Sequence, residues 1–243
     1  MNKKIVFASN NKNKVKIVKD IFEKIMNDIE IIPSYEVGFF DNIEETGPSY
    51  FENALLKAKT LSDYLKIIKV DYPILAEASG FSVDLLAGFP GIISARYSID
   101  EEEKYSHELD IENTNPNYQY IIPNNLDERN NIKVLREISN IDILSQLKHT
   151  AHLIASYVFL TPNGEVFKAE GKIDGEVIDR IVDRAKASKD YESFGYDNIF
   201  YFTKFKKLYQ AIGYENIINF SHRRIALDLL KNSIENYFDN NKI

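Results

Sequence analysis

The stretch that decides the fold runs from Leu75 to Tyr97 and reads LAEASGFSVDLLAGFPGIISARY. The apolar run from Tyr72 to Ala76 predicts a buried strand. The small pair Ser79-Gly80 predicts a sharp turn after it, and the next residues predict a short apolar helix that ends at Gly88-Phe89-Pro90-Gly91. A strand that turns into a helix is where an α/β sheet presents side chains to a ligand, so we expect a binding site here.

This stretch resembles the central motif of the Ham1 family, the inosine triphosphate pyrophosphatases, whose usual form is close to A-D-D-S-G-x-x-V-D-A-L-x-G-x-P-G-x-x-S-A-R-Y. The second acid of that motif is Ala78 here. Four blocks resemble the family in its own order, so the resemblance implies its fold and substrate class along the chain. The blocks are Ser9 to Lys14, Glu44 to Gly47 with Glu52 to Leu55, the central stretch, and Phe194 to Asp197 with Ser221 to Arg223.

The resemblance implies an α/β fold with a long mixed central sheet, helices on both sides, and two lobes around a nucleotide-binding cleft. It also implies a single domain over residues 1–243 and a homodimer. An acidic, Asn-rich segment at about 99–125 is predicted to be an insertion of about 25 residues, because most family members connect this region more briefly. Disordered padding is the default interpretation of that segment, and a lid or an oligomer contact is the alternative.

Composition excludes several classes of function. A net charge of −7 without clustered Lys and Arg argues against nucleic-acid binding. The chain has no Cys, and its four His lack zinc-ligand spacing, so any metal is expected to have oxygen ligands, which suits Mg²⁺. Because no signal peptide and no run of about 18 apolar residues is visible, the sequence predicts a soluble cytoplasmic protein without a membrane partner.

A polar loop from Ser9 to Lys14 separates a predicted strand, Lys3 to Ala8, from a predicted helix, Val15 to Met26. A loop that leads into a helix N-terminus presents free backbone N–H groups to an anion. From these residues alone, Asn-containing turns and solvated Lys side chains are the favoured interpretation. The matching family segment holds the substrate triphosphate. The resemblance therefore makes the loop residues phosphate-binding candidates, with Lys14 as the point charge: Ser9, Asn10, Asn11, Lys12, Asn13 and Lys14.

Two acids, Glu44 and Glu45, precede a predicted helix from Tyr50 to Leu65 that Ser49 caps. Paired acids on a loop are usually only solvated. In the family, however, a Glu of this segment coordinates Mg²⁺ together with the acid of the central motif. The resemblance therefore makes Glu44, Glu45 and Glu77 candidate metal ligands, and the sequence does not choose between the first two.

The reaction implied by the resemblance is attack of water on the α-phosphorus of a nucleoside triphosphate, with release of pyrophosphate. The second acid of the central motif is the family's general base, and the methyl group of Ala78 cannot do its work. Losing such a proton acceptor costs about 10²–10⁴ in rate. Three explanations are compatible with Ala78: a deliberately inactivated variant, natural loss of hydrolysis, or a replacement base among Glu77, Glu44 and Glu45. Adjacent strand residues face opposite ways, and this geometry weakens Glu77 as the replacement.

Two further blocks are candidates for nucleobase binding. The segment Phe194-Gly195-Tyr196-Asp197 offers an aromatic ring for stacking and a carboxylate that accepts hydrogen bonds, and a packed strand-end turn is the alternative. His222 and Arg223 begin the predicted helix His222 to Phe238, where cations oppose the helix dipole, and this indicates a bound electron-rich group. In the family this pair contacts the 6-oxygen of the purine. Ser79 and Arg96 also match the family pattern and are binding candidates.

The remaining segments are predicted to be structural. His149 to Leu160 and Glu165 to Lys172 are predicted to form a hairpin around Asn163-Gly164, with Gly171 and Gly175 at its end. His149 and His152 are expected to be structural rather than catalytic. A second strand is predicted at Ile29 to Ser34, a short helix at Ile132 to Ile138, and an inward face of the last helix at Ile225, Leu229, Leu230 and Ile234.

The leading hypothesis is a Mg²⁺-dependent pyrophosphatase that hydrolyses deaminated purine nucleotides such as ITP, dITP and XTP to the monophosphate. The alternative is a nucleotide-binding homologue without hydrolysis, acting as a sensor or a partner subunit. Ala78 favours this alternative, and so does Ile217, which stands where the family has Lys; Lys206 and Lys207 are nearby substitutes.

Overall fold

The structure, a computed structural model, describes residues 3–99, 125–142, 147–179 and 187–241. Most of the predicted insertion, residues 100–124, lies outside the described residues. The chain forms two compact units. The first unit comprises Met1–Ser79, Leu153–Ile173 and Tyr214–Ile243, and the second comprises Gly80–His152 and Asp174–Gly213.

Eight strands and five α-helices follow one another in the described parts of the chain. The strands are β1 (Lys3–Phe7), β2 (Ile29–Pro33), β3 (Ile74–Val83), β4 (Pro90–Gly91), β5 (Thr150–Leu160), β6 (Val166–Val177), β7 (Phe200–Phe202) and β8 (Lys207–Leu208). The helices are α1 (Lys12–Ile25), α2 (Tyr50–Ile67), α3 (Leu126–Ile141), α4 (Tyr214–Phe220) and α5 (His222–Asn240).

The strands form one mixed sheet in the order β2-β1-β3-β5-β6-β7-β8, and β4 pairs with β3. β1 is parallel to β2 and to β3, whereas β4 is antiparallel to β3, and β7 is antiparallel to both β6 and β8. The predicted α/β class with a long mixed central sheet flanked by helices is therefore confirmed.

Helix α2 supplies one side of the core in the first unit. Its Ala54, Ala58 and Leu61 are fully buried with apolar residues of β1, β3 and β5. The predicted N-cap is confirmed: the Ser49 hydroxyl accepts a hydrogen bond from the Glu52 backbone N–H (3.2 Å) and donates one to its carboxylate (2.9 Å). This N-cap fixes the residue at which the helix begins.

The predicted turn at Ser79-Gly80 is wrong. β3 continues through both residues to Val83, and a 3₁₀ turn at Asp84–Leu86 stands where the short helix was predicted. The backbone groups of this extension find distant partners: Phe81 and Ser82 pair with β4, and the Ser94 hydroxyl accepts from the Phe81 N–H (2.8 Å). The strand therefore continues because of contacts that the local sequence does not reveal.

Three other boundaries differ from the sequence prediction. α1 begins at Lys12 rather than Val15, and α3 begins at Leu126 rather than Ile132, because Asn11 and Asn125 cap these helices with their side chains. β6 extends to Val177, so Gly171 and Gly175 lie inside the strand rather than at the end of the hairpin.

Both of these glycines occupy positions where backbone lies very close. A Cβ atom on Gly171 would lie 2.0 Å from the His222 carbonyl oxygen, and one on Gly175 would lie 2.4 Å from the Tyr201 carbonyl oxygen. Only a residue without a side chain fits there. Gly171 thereby allows β6 to contact the first turn of α5.

The predicted inward face of α5 is partly wrong. Ile225 and Leu229 are 37% and 64% exposed, and the buried face instead comprises His222, Arg223, Ala226, Leu227, Leu230 and Ile234. Because His222 and Arg223 point inward, residues four positions later share their face. Two polar residues in the first turn therefore set the orientation of the whole helix. None of the helices in the described ranges combines the length and the hydropathy needed to cross a membrane.

Candidate functional site

Lys14 reaches into a buried polar cluster from the first turn of α1. The Asn11 side chain caps the helix by accepting a hydrogen bond from the Lys14 backbone N–H (3.1 Å), and the Ser9 hydroxyl accepts one from the Asn11 N–H (3.3 Å). The Lys14 Nζ donates to the Ser79 hydroxyl (2.9 Å) and lies 3.4 Å from the Glu77 Oε1. The N-cap therefore positions the Lys14 ammonium group next to Glu77 and Ser79 of β3.

Glu77 is the centre of this cluster, and its side chain is 1% exposed. Arg223 Nε donates to both carboxylate oxygens (3.2 and 3.3 Å), and the Tyr157 hydroxyl donates to Oε2 (2.8 Å). Burial alone raises the pKa of Glu77, but the charges of Arg223 and Lys14, with hydrogen bonds from Ser79 and Tyr157, hold it well below its usual value. The carboxylate is therefore ionised and already surrounded by donors.

The first turn of α5 places Arg223 and His222 in the same unit. The Ser221 hydroxyl caps the helix by accepting from the Arg224 N–H (3.2 Å), and Arg223 Nη2 donates to the Ser79 hydroxyl (3.2 Å). A cation opposes the helix dipole at this end, and the Glu77 carboxylate compensates that cost. Ser79 thus accepts hydrogen bonds from both cations, Lys14 and Arg223.

His222 is 2% exposed, and its Nδ1 has no hydrogen-bond partner among the described residues. Burial, together with the charges of Arg223 and Lys14, lowers its pKa well below the usual value, although Glu77 acts in the opposite direction. The imidazole is therefore neutral at physiological pH, so it contributes a hydrogen-bonding ring nitrogen rather than a charge.

Lys57 is a member of the site that the sequence analysis missed. From α2, its Nζ makes an ion pair with the Glu45 carboxylate and donates to the Glu77 carbonyl oxygen (3.1 Å). Its ammonium group also influences Lys14 electrostatically. Lys57 lies on the same helix as the buried Ala54 and Ala58, and its side chain is only 14% exposed. The sequence does not reveal this low exposure, because it depends on how the helix packs.

Tyr157 is the second missed member. It lies within the apolar run of β5, and its side chain is fully buried. A buried Tyr hydroxyl usually has a hydrogen-bond partner, which is the one hint the sequence offers. Burial and the neighbouring Glu77 charge raise its pKa well above the usual value, so it remains a neutral donor.

The electrostatics of the cluster favour an anion. Three cations (Lys14, Lys57 and Arg223) and two anions (Glu45 and Glu77) carry a net charge of one positive. In addition, Lys14 and Arg223 both lie in the first turns of helices, where backbone N–H groups point outward. The combination suits a phosphate-bearing ligand.

The other predicted phosphate-binding residues differ in their contacts and exposure, and they do not join the cluster around Glu77. Asn10 ties two loops together: its side chain donates to the carbonyls of Phe40 (3.0 Å) and Asp41 (3.3 Å) and accepts from the Ser34 hydroxyl (3.0 Å). Lys12 is exposed, whereas Asn13 is half-buried. The structure therefore joins Lys14 to Glu77, Ser79 and Arg223, while Asn10 holds the loop in shape.

The predicted metal ligands do not form a ligand set. Glu77 is bonded to two cations and a hydroxyl, Glu45 is paired with Lys57, and Glu44 is exposed. In the described part of the chain, no group of three or more His, Asp or Glu side chains is arranged to hold a metal ion. As the side chains stand, they do not fit a resident Mg²⁺.

The predicted nucleobase segment and Arg96 belong to the second unit. Asp197 is buried and accepts hydrogen bonds from the Tyr191 hydroxyl (2.7 Å) and the Phe194 N–H (3.0 Å). Tyr196 is also buried, where it donates to the Ser94 carbonyl (2.8 Å) and stacks on Phe81 at 4.6 Å between ring centroids. These two side chains shape the turn from within.

The more open members of this turn are Phe194, which is half-buried, and Gly195, whose φ of 58° is left-handed. The Gly195 N–H donates to the Asp127 carboxylate (2.7 Å), and its carbonyl accepts from Asn131 (3.0 Å). Arg96 is half-buried. The role of this segment in base binding stays a prediction.

The two histidines expected to be structural make ion-pair contacts in the second unit. His149 contacts Asp142 (2.9 Å), while His152 contacts Asp174 (2.7 Å) and Asp84 (3.0 Å) through its two ring nitrogens. Ile217 is fully buried in α4 of the first unit, whereas Lys206 and Lys207 belong to the second unit.

Fold and site together define an α/β protein in which a cluster with a net positive charge lies at two helix N-termini, an arrangement whose charge suits an anionic ligand. The Ham1 family model matches residues 5–233, and the chain belongs to the Ham1 family. This confirms the resemblance that the four sequence blocks carry.

Named relatives agree with this assignment. A Clostridium perfringens protein named dITP/XTP pyrophosphatase is 31% identical over 234 residues, which cover 96% of this chain and 98% of that protein. A Nautilia profundicola protein of the same name is 33% identical over 226 residues, covering 93% and 94% of the two chains. The structure of the Staphylococcus aureus Ham1 protein, 30% identical, covers 97% of this chain and all of its own, with a TM-score of 0.68.

Proposed function

We propose that this protein is a nucleoside triphosphate pyrophosphatase whose substrates are deaminated purine nucleotides such as ITP, dITP and XTP. The products are the nucleoside monophosphate and pyrophosphate, and the activity removes these nucleotides from the precursor pool. Membership of the Ham1 family and the names of the relatives support the substrate class. The observation in this chain that carries the proposal is the buried cluster in which Lys14 and Arg223 converge on Glu77 and Ser79.

In this proposal the first unit binds the triphosphate. Lys14 supplies a point charge, and the backbone N–H groups of Lys12 and Asn13 in the first turn of α1 add neutral donors. Neutral His222 and charged Arg223 interact with an electron-rich atom of the ligand, for which the purine 6-oxygen is the family's example. The half-buried ring of Phe194 is proposed to stack on the base, while the buried Asp197 holds the turn that carries it.

Hydrolysis forms a bond between a water oxygen and the α-phosphorus and breaks the bond from that phosphorus to the bridging oxygen. The water proton must pass to an acceptor. Ala78 supplies none, and Glu77 is ionised but occupied by Arg223, Lys14 and Tyr157. Glu45 is likewise paired with a cation, Lys57, so the exposed Glu44 remains as the candidate replacement.

The Mg²⁺ requirement is likewise part of the proposal. Because Glu77 and Glu45 are bonded to cations, the ion is proposed to enter with the triphosphate, whose oxygens are the hard ligands that Mg²⁺ prefers. The homodimer implied by the family resemblance is also a proposal, which sedimentation analysis at several protein concentrations tests directly.

Pyrophosphate release from ITP, XTP, dITP, ATP and GTP, with and without Mg²⁺, tests the function. We expect Ala78→Asp to hydrolyse the deaminated nucleotides about 10²–10⁴ times faster than the parent chain. Ala76→Asp is a matched control, because residue 76 lies in the same strand and the same apolar cluster. If the parent chain hydrolyses these nucleotides fast and Ala78→Asp does not change the rate, the general base is a residue other than residue 78.

A second candidate function is nucleotide binding without hydrolysis. It is favoured by the surroundings of Ala78, which is fully buried in an apolar cluster, and by the occupied state of Glu77. If neither the parent nor Ala78→Asp hydrolyses any nucleotide, yet ITP or XTP binds in calorimetry, this candidate replaces the pyrophosphatase. If nothing binds, both proposals are wrong.

A further inference from the structure

The carboxylate of Glu77 has a bonding pattern that differs from that of a general base or a metal ligand. Both of its oxygens accept from Arg223 Nε, one lies 3.4 Å from Lys14 Nζ, and the other accepts from Tyr157. A base or a ligand needs an oxygen lone pair directed at water or at an ion. In this structure the Glu77 oxygens instead face hydrogen-bond donors and cations of the protein, and the side chain is only 1% exposed.

The same pattern is what a positioning residue requires. Two cations on different helices, the half-buried Lys14 on α1 and the buried Arg223 on α5, repel each other unless an anion lies between them. Glu77 is that anion, and Ser79, two residues along the same face of β3, accepts a hydrogen bond from each cation. The strand thus supplies a template that fixes both cationic groups before a ligand arrives.

Tyr157 completes the template from the neighbouring strand. β5 lies next to β3 in the sheet, and the Tyr157 hydroxyl reaches the Glu77 Oε2 at 2.8 Å. This bond restrains the carboxylate's rotation, while Arg223 holds it from another side. A neutral hydroxyl can do this without altering the charge of the cluster.

We propose that Glu77 and Tyr157 are positioning residues that hold Lys14 and Arg223 ready to bind the nucleotide, Lys14 at its phosphate groups and Arg223 at an electron-rich atom of the base, and that Glu77 is neither the general base nor a metal ligand. The inference rests on the proposed function, since it concerns the same anion. It differs from the role that the family resemblance implies for Glu77.

The experiment measures ITP affinity by calorimetry in EDTA, where neither a base nor a metal ligand contributes. Tyr157→Phe is expected to weaken ITP binding about three- to tenfold, since one hydrogen bond to a charged group is lost. Tyr64→Phe is the matched control, because it removes one hydroxyl that donates to the Val37 carbonyl (3.1 Å) in the same unit, away from the cluster. Both variants lose one hydrogen bond from the fold, but only Tyr157→Phe is expected to change affinity.

Glu77→Gln tests the carboxylate itself. Without the anion the two cations repel, so metal-free ITP affinity is expected to fall about tenfold or more. A metal-ligand role instead predicts unchanged affinity in EDTA and a raised Mg²⁺ requirement. Thermal melting confirms that each variant is folded, and Tyr157→Phe serves alone if Glu77→Gln does not fold.

The outcomes separate this inference from the proposed function. ITP binding by the parent, with equal affinity in Tyr157→Phe and Tyr64→Phe, overturns the positioning role and leaves the nucleotide function standing. Absence of ITP and XTP binding by the parent, with and without Mg²⁺, overturns both.

Discussion

Glu77 and Ala78 are neighbours in β3 whose side chains lie in opposite environments. The Glu77 carboxylate lies among Lys14, Arg223 and Tyr157, while the Ala78 methyl group is fully buried in the apolar cluster that includes Ala54 and Ala58. Alternation along a strand produces this division. It means that an acid at position 78 and the acid at 77 cannot exchange roles by a change of rotamer.

The buried position of residue 78 predicts a stability cost for a restored acid. We expect Ala78→Asp to lower the free energy of unfolding by about 3 kcal/mol, because a carboxylate enters an apolar cluster. Ala76→Asp should cost more, since Lys57 donates to the carbonyl of residue 77, next to position 78. Urea denaturation measures the free energy of unfolding of both variants. An equal decrease in the two would exclude a stabilising interaction between Lys57 and the acid at position 78.

Lys14 and Lys12 are two residues apart but differ in environment. Lys14 bonds to Ser79 and Glu77, whereas Lys12 is exposed. We therefore expect Lys14→Met to weaken ITP binding about tenfold or more, and Lys12→Met to change it by less than about threefold. Titration calorimetry of the two variants tests this difference. Similar losses in both would indicate a diffuse positive surface instead of a defined contact.

The lowered pKa of His222 predicts a pH dependence of stability. The unfolded chain takes up a proton near pH 6.5, whereas the folded chain keeps His222 neutral to a much lower pH. The unfolded state therefore binds more protons below pH 6.5, and stability falls as the pH drops, by up to about 1.4 kcal/mol per pH unit. His222→Gln should remove this part of the slope between about pH 6.5 and about pH 5.

Glu77 affects a different pH range. Its pKa is held well below the usual 4.5, so its contribution to stability is present above that value and is lost only as the pH falls further. Urea midpoints measured above about pH 5 therefore exclude the contribution of Glu77, and comparison with His222→Gln gives the part that belongs to His222. An unchanged slope in His222→Gln would mean that the imidazole is protonated in the folded state.

Gly171 is expected to be intolerant of any side chain. A Cβ there would lie 2.0 Å from the His222 carbonyl oxygen and 2.6 Å from the Ala226 nitrogen, both of which are helix backbone. We expect Gly171→Ala to destabilise the protein by more than about 3 kcal/mol. Gly164→Ala is the control: its φ of 93° is strained for Ala, but nothing lies within 4 Å, so about 1 kcal/mol is expected. Thermal melting distinguishes the two.

Local patterns in the sequence were sufficient for much of the fold. The N-caps at Ser49 and Ser221, the first two strands and the Asn163-Gly164 hairpin depend on neighbouring residues, and the structure contains them. The turn at Ser79-Gly80 was wrong because its backbone pairs with β4. The inner face of α5 was misassigned because hydrophobicity alone does not reveal that His222 and Arg223 are buried.

The sequence by itself determined the family and the α/β class, and it pointed to Lys14, Glu77, Ser79 and Arg223 as site candidates, since four blocks of short-range chemistry carry that information. Only the tertiary structure decided what each residue does there. Tyr157 and Lys57 joined the site, and Glu77 became a bridge between two cations, because these contacts connect residues between 20 and 146 positions apart. Side-chain partners at such separations are fixed by the packing of strands and helices, and no local pattern records them.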